Sequence, residues 1–321
     1  MAHVVSKGSI LLTLVAALGC AAEPELDAGA AALAGPADEL EEAPTPARRV
    51  PLLTRSPASP RPSAGVATAR RRTQSPVDRP AEGEDDARVR LPLAGTIVAH
   101  GGGPLTGATM ERFAELCGRG SLVLIPTANE EARRPRYRRR IARRWSRFGF
   151  ADVAVLHARR RADANRRVAV RTLRDADCVW FGGGVQQHLI DRYVGTRVDD
   201  ELHALLQRGG TIGGYSAGTA IMTDVMIRHG NPTPYEGHGF GILPDIIVDQ
   251  HFVAEQREPR LLAMLERHPT LVGYGVDEGT ALVVTGERFR VIGESVVRRC
   301  THDGGCEDLR PGDTGQFPGR L

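Results

Sequence analysis

Ser216 stands in Gly214-Tyr215-Ser216-Ala217-Gly218, between the apolar run "GTIGGYS" and the helical-looking "AGTAIMTDVM". A serine on a tight strand-to-helix turn presents its Oγ clear of the sheet, and small neighbours give the strained turn room. The free N–H groups of a following helix converge on the same spot and favour an anion forming there. Taken alone, the pattern fits equally well a glycine-rich turn whose serine caps the helix.

A serine hydroxyl needs a base to become a nucleophile, and the base needs an orienting partner. "VDQHF" offers His251 at the end of one apolar run, and "GYGVDEG" offers Asp277 and Glu278 at the end of the next. The chain order is serine, histidine, acid. Ordinary α/β-hydrolases run serine, acid, histidine, so this chain does not match them. Cysteine and histidine spacing gives no metal-type pattern. Acyl transfer by such a triad calls for no metal and no organic cofactor, and activity should survive a chelator.

Positioning three distant side chains requires a scaffold. From about residue 91 short apolar runs alternate with helical segments: "AGTIVAHGG", "SLVLIPTA", "DVAVLHA", "DCVWFGGG" and "GTIGGYS" are separated by "ATMERFAELCGR", "YRRRIARRWSRFG", "ANRRVAVRTLRDA", "QQHLIDRYVG" and "DDELHALLQRGG". This alternation predicts an α/β fold with a mostly parallel, doubly covered sheet. Ligands in such sheets meet the C-terminal strand ends, where His100 with its glycines, Thr127, Gly183, Gln186 and Ser216 fall. "IIVDQHF", the helix "PRLLAMLERH" and a glycine-punctuated β-hairpin region follow.

The rest of the chain reads differently. Residues 1–20 carry Lys7, the apolar run "SILLTLVAALG", too short to span a membrane, and Cys20, which together predict an export signal with a candidate lipid-anchored cysteine. Residues 21–90 are rich in Ala, Pro, Glu, Arg and Ser with few large apolar side chains, so they predict a disordered linker. The folded domain is expected over 91–299, with 300–321 as a tail in which Cys300 and Cys306 bracket "THDGG" and are placed to close a small disulfide loop. Cys117 and Cys178 read as buried and inert. The protein is therefore expected outside the cytoplasm, periplasmic, membrane-anchored or extracellular. The net charge of +3 selects no partner. The arginine-rich helix around residues 136–147 lacks a nucleic-acid motif and reads as a solvated face.

Four motifs in order, "WFGGGVQQHL", "GGYSAGTAIM", "GFGILPDIIVDQHF" and "GYGVDEGTAL", resemble cyanophycinase and its relatives in peptidase family S51, which includes the aspartyl dipeptidases. The resemblance covers about residues 94–297. It implies a flavodoxin-like three-layer sandwich similar to class I glutamine amidotransferases. It also implies Ser216 as nucleophile, His251 as general base and Glu278 rather than Asp277 as its orienter. Gly183, Gly184 and Ala217 would supply an oxyanion hole, and Gln186, Asp249, Gln250, Arg257 and Arg260 would contact substrate. The implied substrate is cyanophycin, an arginine-bearing polyaspartate, cleaved to β-Asp-Arg dipeptides. Aspartyl or isoaspartyl dipeptides are the alternative, and a non-catalytic exported binding lipoprotein is a second class. Family relatives are often dimers, so a homodimer is one expectation by analogy, and the lack of a nucleic-acid motif predicts no nucleic-acid partner. Departures are Val185 where the family has Asp, Tyr215 before the serine, and Glu255 where cyanophycinases carry the first of three arginines.

Overall fold

The computed structural model describes residues 94–317. The expected signal, Cys20 and the linker lie outside the described residues. Five strands, β1 (Thr96–His100), β2 (Ser121–Ile125), β3 (Asp152–Val155), β4 (Cys178–Phe181) and β5 (Thr211–Tyr215), pair in parallel in the order β1-β5-β4-β2-β3. Their near-continuous apolar composition suits a sheet covered on both faces. On one face α1 (Gly107–Leu116) and α2 (Pro135–Ser146) bury Met110, Phe113 and Trp145 against Val98, Trp180 and Tyr215. The other face is covered by α3 (Arg161–Ala164), α4 (Arg167–Arg174), α5 (Gln187–Tyr193) and α6 (Arg197–Gln207). They bury Leu173, Leu189, Tyr193 and Leu202 against Ile97, Val179 and Ile212. The predicted α/β fold and its parallel sheet are observed.

Beyond β5 the chain departs from simple alternation. The helix expected after Ser216 is a single turn, α7 (Ala217–Ala220). Thr223 Oγ1 lies 2.8 Å from the carbonyl of Val225, and β-branched Val225 and Ile227 then run in β6 (Val225–His229), paired with β7 (Tyr235–His238). A second sheet has the order β13-β12-β9-β8. Its strands are β8 (Ile246–Gln250), β9 (Val272–Val276), β12 (Val297–Thr301) and β13 (Gly305–Leu309), with α8 (Glu258–Arg267) packed on it through Leu261, Met264 and Leu265. Strands β10 (Thr280–Thr285), β11 (Arg288–Gly293) and β14 (Thr314–Gln316) extend the first sheet antiparallel beyond β1.

The C-terminal residues are therefore not a tail. β14 pairs with β11, and Phe317 is buried and stacked on Tyr274 at 5.8 Å. Cys300 and Cys306 face each other across the β12–β13 pairing and form a disulfide, as their spacing suggested. Cys117 and Cys178 are buried as expected, but they are joined to each other rather than idle.

Packing is tight where β5 crosses the aromatic cluster. A Cβ at Gly213 would sit 2.2 Å from Trp180 Cε3 and 2.6 Å from Phe113 Cε2, whereas one at Gly107 meets nothing within 4 Å. Gly213→Ala should lower unfolding stability by about 1–3 kcal/mol through overpacking. Gly107→Ala should raise it by up to about 1 kcal/mol by restricting the unfolded chain. Denaturant titration of both variants checks the contrast.

Candidate active site

The register of the two sheets brings the distant residues together. β1 and β5 are parallel with His100 opposite Tyr215, so Gly101–Gly103 and Ser216 leave the sheet side by side. β8 and β9 are parallel with Gln250 opposite Val276, so His251 and the pair Asp277 and Glu278 leave the second sheet at one end. The glycine loop joins the two exits. Gly101 accepts from the His251 N–H at 2.7 Å, Gly102 accepts from Gly279 at 2.9 Å, and the Gly101 N–H donates to Thr280.

Glycine is needed in that loop for close approach as much as for conformation. At Gly102, with φ +112°, a Cβ would fall 2.2 Å from His251 Cε1. At Gly103, with φ +67°, it would fall 2.5 Å from Glu278 Cβ. The imidazole and the carboxylate are thus packed against bare backbone. The significance of Gly102 and Gly103 was not readable from the serine motif; the signal was the run "AHGGG" at a strand end.

Ser216 has φ +53° and ψ −113°, a sparsely populated conformation for a non-glycine residue. Its N–H donates to the His100 carbonyl at 3.0 Å, and Thr219 Oγ1 lies 2.8 Å from both the His100 and Gly214 carbonyls. The flanking glycines are sterically required. A Cβ at Gly214 would meet the Gly218 carbonyl oxygen at 2.3 Å, and one at Gly218 would meet that of Phe181 at 2.5 Å. No side-chain capping bond is made by Ser216, so the helix-cap alternative fails.

The serine hydroxyl faces a base. His251 Nε2 lies 2.9 Å from Ser216 Oγ, and His251 Nδ1 lies 2.6 Å from Glu278 Oε1. Asp277 is engaged elsewhere: its Oδ1 accepts the N–H groups of Val253 and Ala254, and its Oδ2 accepts from Ser295 Oγ at 2.6 Å. It anchors the loop after His251 and leaves Glu278 as the orienting acid. Gly183 abuts this point, since a Cβ there would be 3.3 Å from Ser216 Cβ. Ala217 opens α7, so its N–H has no intrahelical acceptor. At Gly184, with φ +134°, a Cβ would meet the Ala128 carbonyl oxygen at 2.5 Å.

Several residues expected to contact substrate are engaged within the chain. Asp249 is fully buried and forms a two-point pair with Arg260, Nε to Oδ2 at 2.7 Å and Nη2 to Oδ1 at 2.5 Å. Arg257 donates to the Gln250 carbonyl at 3.0 Å and pairs through Nε and Nη2 with Glu255. Gln250 is buried. The Gln186 amide donates to the carbonyls of Ile227 and Arg228, tying the start of α5 to β6. Glu255, the residue of reversed sign, places Oε1 3.9 Å from His251 Nδ1.

His100 lies beneath the site. It is fully buried, stacks on Tyr215 at 5.3 Å between centroids, and accepts the Gly102 N–H on Nδ1. Burial, reinforced by the neighbouring His251, lowers its pKa to about 4. His157, bonded to Thr127 Oγ1, is also lowered to about 4, by burial and then by Arg138, Arg192, Arg159 and Arg133.

Comparison with known proteins gives the same scaffold a family. The sequence model of peptidase family S51 matches residues 98–292, which contain Ser216, His251 and Glu278. This chain belongs to peptidase family S51. It is 32% identical over 162 residues to the cyanophycinase of Geminocystis herdmanii, covering 48% of this chain and 60% of that protein. It is 32% identical over 159 residues to the cyanophycinase of Synechococcus elongatus, covering 47% and 49%. A probable alpha-aspartyl dipeptidase of Drosophila melanogaster is 28% identical over 154 residues, 44% of this chain and 63% of that one. The chain thus matches about half to three-fifths of the length of these cyanophycinases. Among solved structures, a peptidase from an acI-B1 Actinobacterium superposes with a TM-score of 0.61 at 25% identity, over 70% of this chain and 98% of that one.

The buried His100 and the half-buried His157 set an acid sensitivity. Folded His100 stays neutral down to about pH 4, whereas the unfolded chain takes up its proton near 6.5. Stability should therefore be full above pH 6.5 and fall as pH drops towards 4, with His100 contributing on the order of 3 kcal/mol of the loss. Urea unfolding between pH 4 and 7 should show this slope, and His100→Gln should reduce it.

Proposed function

We propose that this S51 chain is a serine hydrolase that cleaves a peptide or isopeptide bond following an aspartyl unit. The observation that carries the reading is the unbroken line Ser216 Oγ, His251, Glu278, with separations of 2.9 and 2.6 Å on the two sides of one imidazole. Glu278 holds the proton on Nδ1, which leaves Nε2 free to accept. Ser216 attacks the scissile carbonyl and its proton passes to His251 Nε2. His251 then protonates the leaving amine, and water releases the acyl group from the serine by the same route. The N–H groups of Gly183, Gly184 and Ala217 are the candidate oxyanion donors, each contributing about 10²–10³ in rate.

Cyanophycin is the first candidate substrate, supported by similarity to two cyanophycinases. Aspartyl or isoaspartyl dipeptides are the second, and a specific observation favours them. Arg257 and Arg260 engage Glu255 and Asp249, and an anion rather than a cation flanks His251. Glu255, paired with Arg257 on the Nδ1 side of His251, thus offers no cation for a second substrate carboxylate. A non-catalytic binding role on the same fold is the remaining class, and the aligned triad argues against it. We further propose export, with Cys20 as a lipid anchor; pairing of Cys117 with Cys178 and Cys300 with Cys306 suits an oxidising compartment.

Full-length protein should release products from cyanophycin or from aspartyl dipeptides, with or without EDTA, as followed by chromatography. Ser216→Ala should lower kcat by at least about 10³, and Glu278→Gln by about 10²–10⁴, with KM little changed. Equal turnover by wild type and Ser216→Ala would remove the serine from the mechanism.

A further inference from the structure

A pocket opens beside the serine on the α2 face of the sheet. It encloses a cavity of about 70 Å3 and is lined chiefly by apolar and aromatic side chains, among them Leu105, Tyr137, Ile141, Trp145 and Trp180. That lining is typical of small-molecule sites, while the cavity is far smaller than the about 300–1,000 Å3 of a site for a whole ligand, so it suits a single side chain. Two lining residues belong to the serine's own surroundings. Tyr215 precedes Ser216 in the chain. A Cβ on Gly183 would lie 2.7 Å from the Tyr215 ring and 3.3 Å from Ser216 Cβ. Gly183 and Tyr215 thus border both the pocket and the serine, on the scale of the about 3.3–3.6 Å that one extended residue spans.

One charged residue lines it. Arg144 is exposed on α2 and donates through Nη2 to the Leu105 carbonyl at 2.8 Å, which carries its guanidinium across from α2 to the loop after β1. It makes no ion pair among the described residues. A hydrophobic chamber with a cation at its lip fits an apolar side chain and a carboxylate on the same small residue. A free α-carboxylate marks a C-terminal residue, which in a dipeptide is the leaving residue.

We propose that this pocket is the subsite for the leaving residue of the substrate, that it takes a branched or aromatic apolar side chain, and that Arg144 binds the free α-carboxylate. The proposal rests on the hydrolase reading above and narrows its substrates to aspartyl dipeptides ending in residues such as leucine or phenylalanine. The subsite does no chemistry; Arg144 and the pocket walls set affinity and register.

Two measurements on the full-length protein test it. The first needs no turnover: L-leucine, L-alanine and L-leucinamide are titrated calorimetrically into the Ser216→Ala protein. Leucine should bind at least tenfold more tightly than alanine, which lacks three buried carbons, and than leucinamide, which lacks the carboxylate. Arg144→Gln should abolish the preference for leucine over leucinamide. Ile141→Trp, which fills the chamber, should abolish the preference for leucine over alanine. Arg144 lies on the surface, so its variant remains informative if Ile141→Trp fails to fold. The second measurement compares kcat/KM for Asp-Leu and Asp-Ala. Equal binding of the three ligands overturns the subsite. Hydrolysis of Asp-Ala as efficient as that of Asp-Leu also overturns it, while leaving the serine mechanism intact. The expected binding pattern without hydrolysis of any aspartyl peptide supports the subsite and removes the hydrolase reading.

Discussion

A single imidazole bridges two sheets that the chain builds separately. Ser216 leaves the first sheet, Glu278 leaves the second, and His251 is bonded to both. The bridge depends on how closely the strand ends approach, and that approach is fixed by backbone without side chains at Gly102 and Gly103. Any Cβ there would displace the imidazole or the carboxylate by more than a hydrogen bond tolerates. The aspartate next to the orienting acid serves the same end, because Asp277 holds the segment just after His251 through two backbone N–H groups. Of these adjacent carboxylates, one fixes the loop and the other bonds the imidazole.

The five parallel strands were legible because each is a short apolar run closed by glycine or a polar residue, and the helices between them have uninterrupted formers. The serine turn was legible for a steric reason that the structure bears out at Gly214 and Gly218. What followed was less legible. "AGTAIMTDVM" has the composition of a helix, yet Thr223 turns its hydroxyl to nearby carbonyls and β-branched residues begin a strand. The last residues look like a polar tail, but β14 contributes three ladder positions and Phe317 supplies a buried ring. Pairing across a sheet edge leaves little periodic signal in so short a strand.

Charged residues near the site show a further limit of reading residue types. The family resemblance implied that Asp249, Arg257 and Arg260 contact substrate. Burial changes the requirement: a fully buried carboxylate must be paired, and Arg260 sits in the first turn of α8 where its fork meets both oxygens. Distance along the chain gives no indication that 249 and 260 face each other. Conversely, Arg144, which the sequence leaves within a run of solvated arginines, lines the pocket beside Ser216. Among the described residues Arg257 and Arg260 enter ion pairs and Arg144 enters none, a difference that residue type alone does not show.

The central claim is that Ser216 becomes covalently acylated during turnover. Rapid acid quench of the protein with an activated aspartyl ester, followed by peptide mapping by mass spectrometry, reads this directly. The account predicts an aspartyl mass increment on the peptide containing Ser216, decaying as product accumulates. Steady hydrolysis of the ester with no increment on that peptide, or with the increment on another residue, contradicts it.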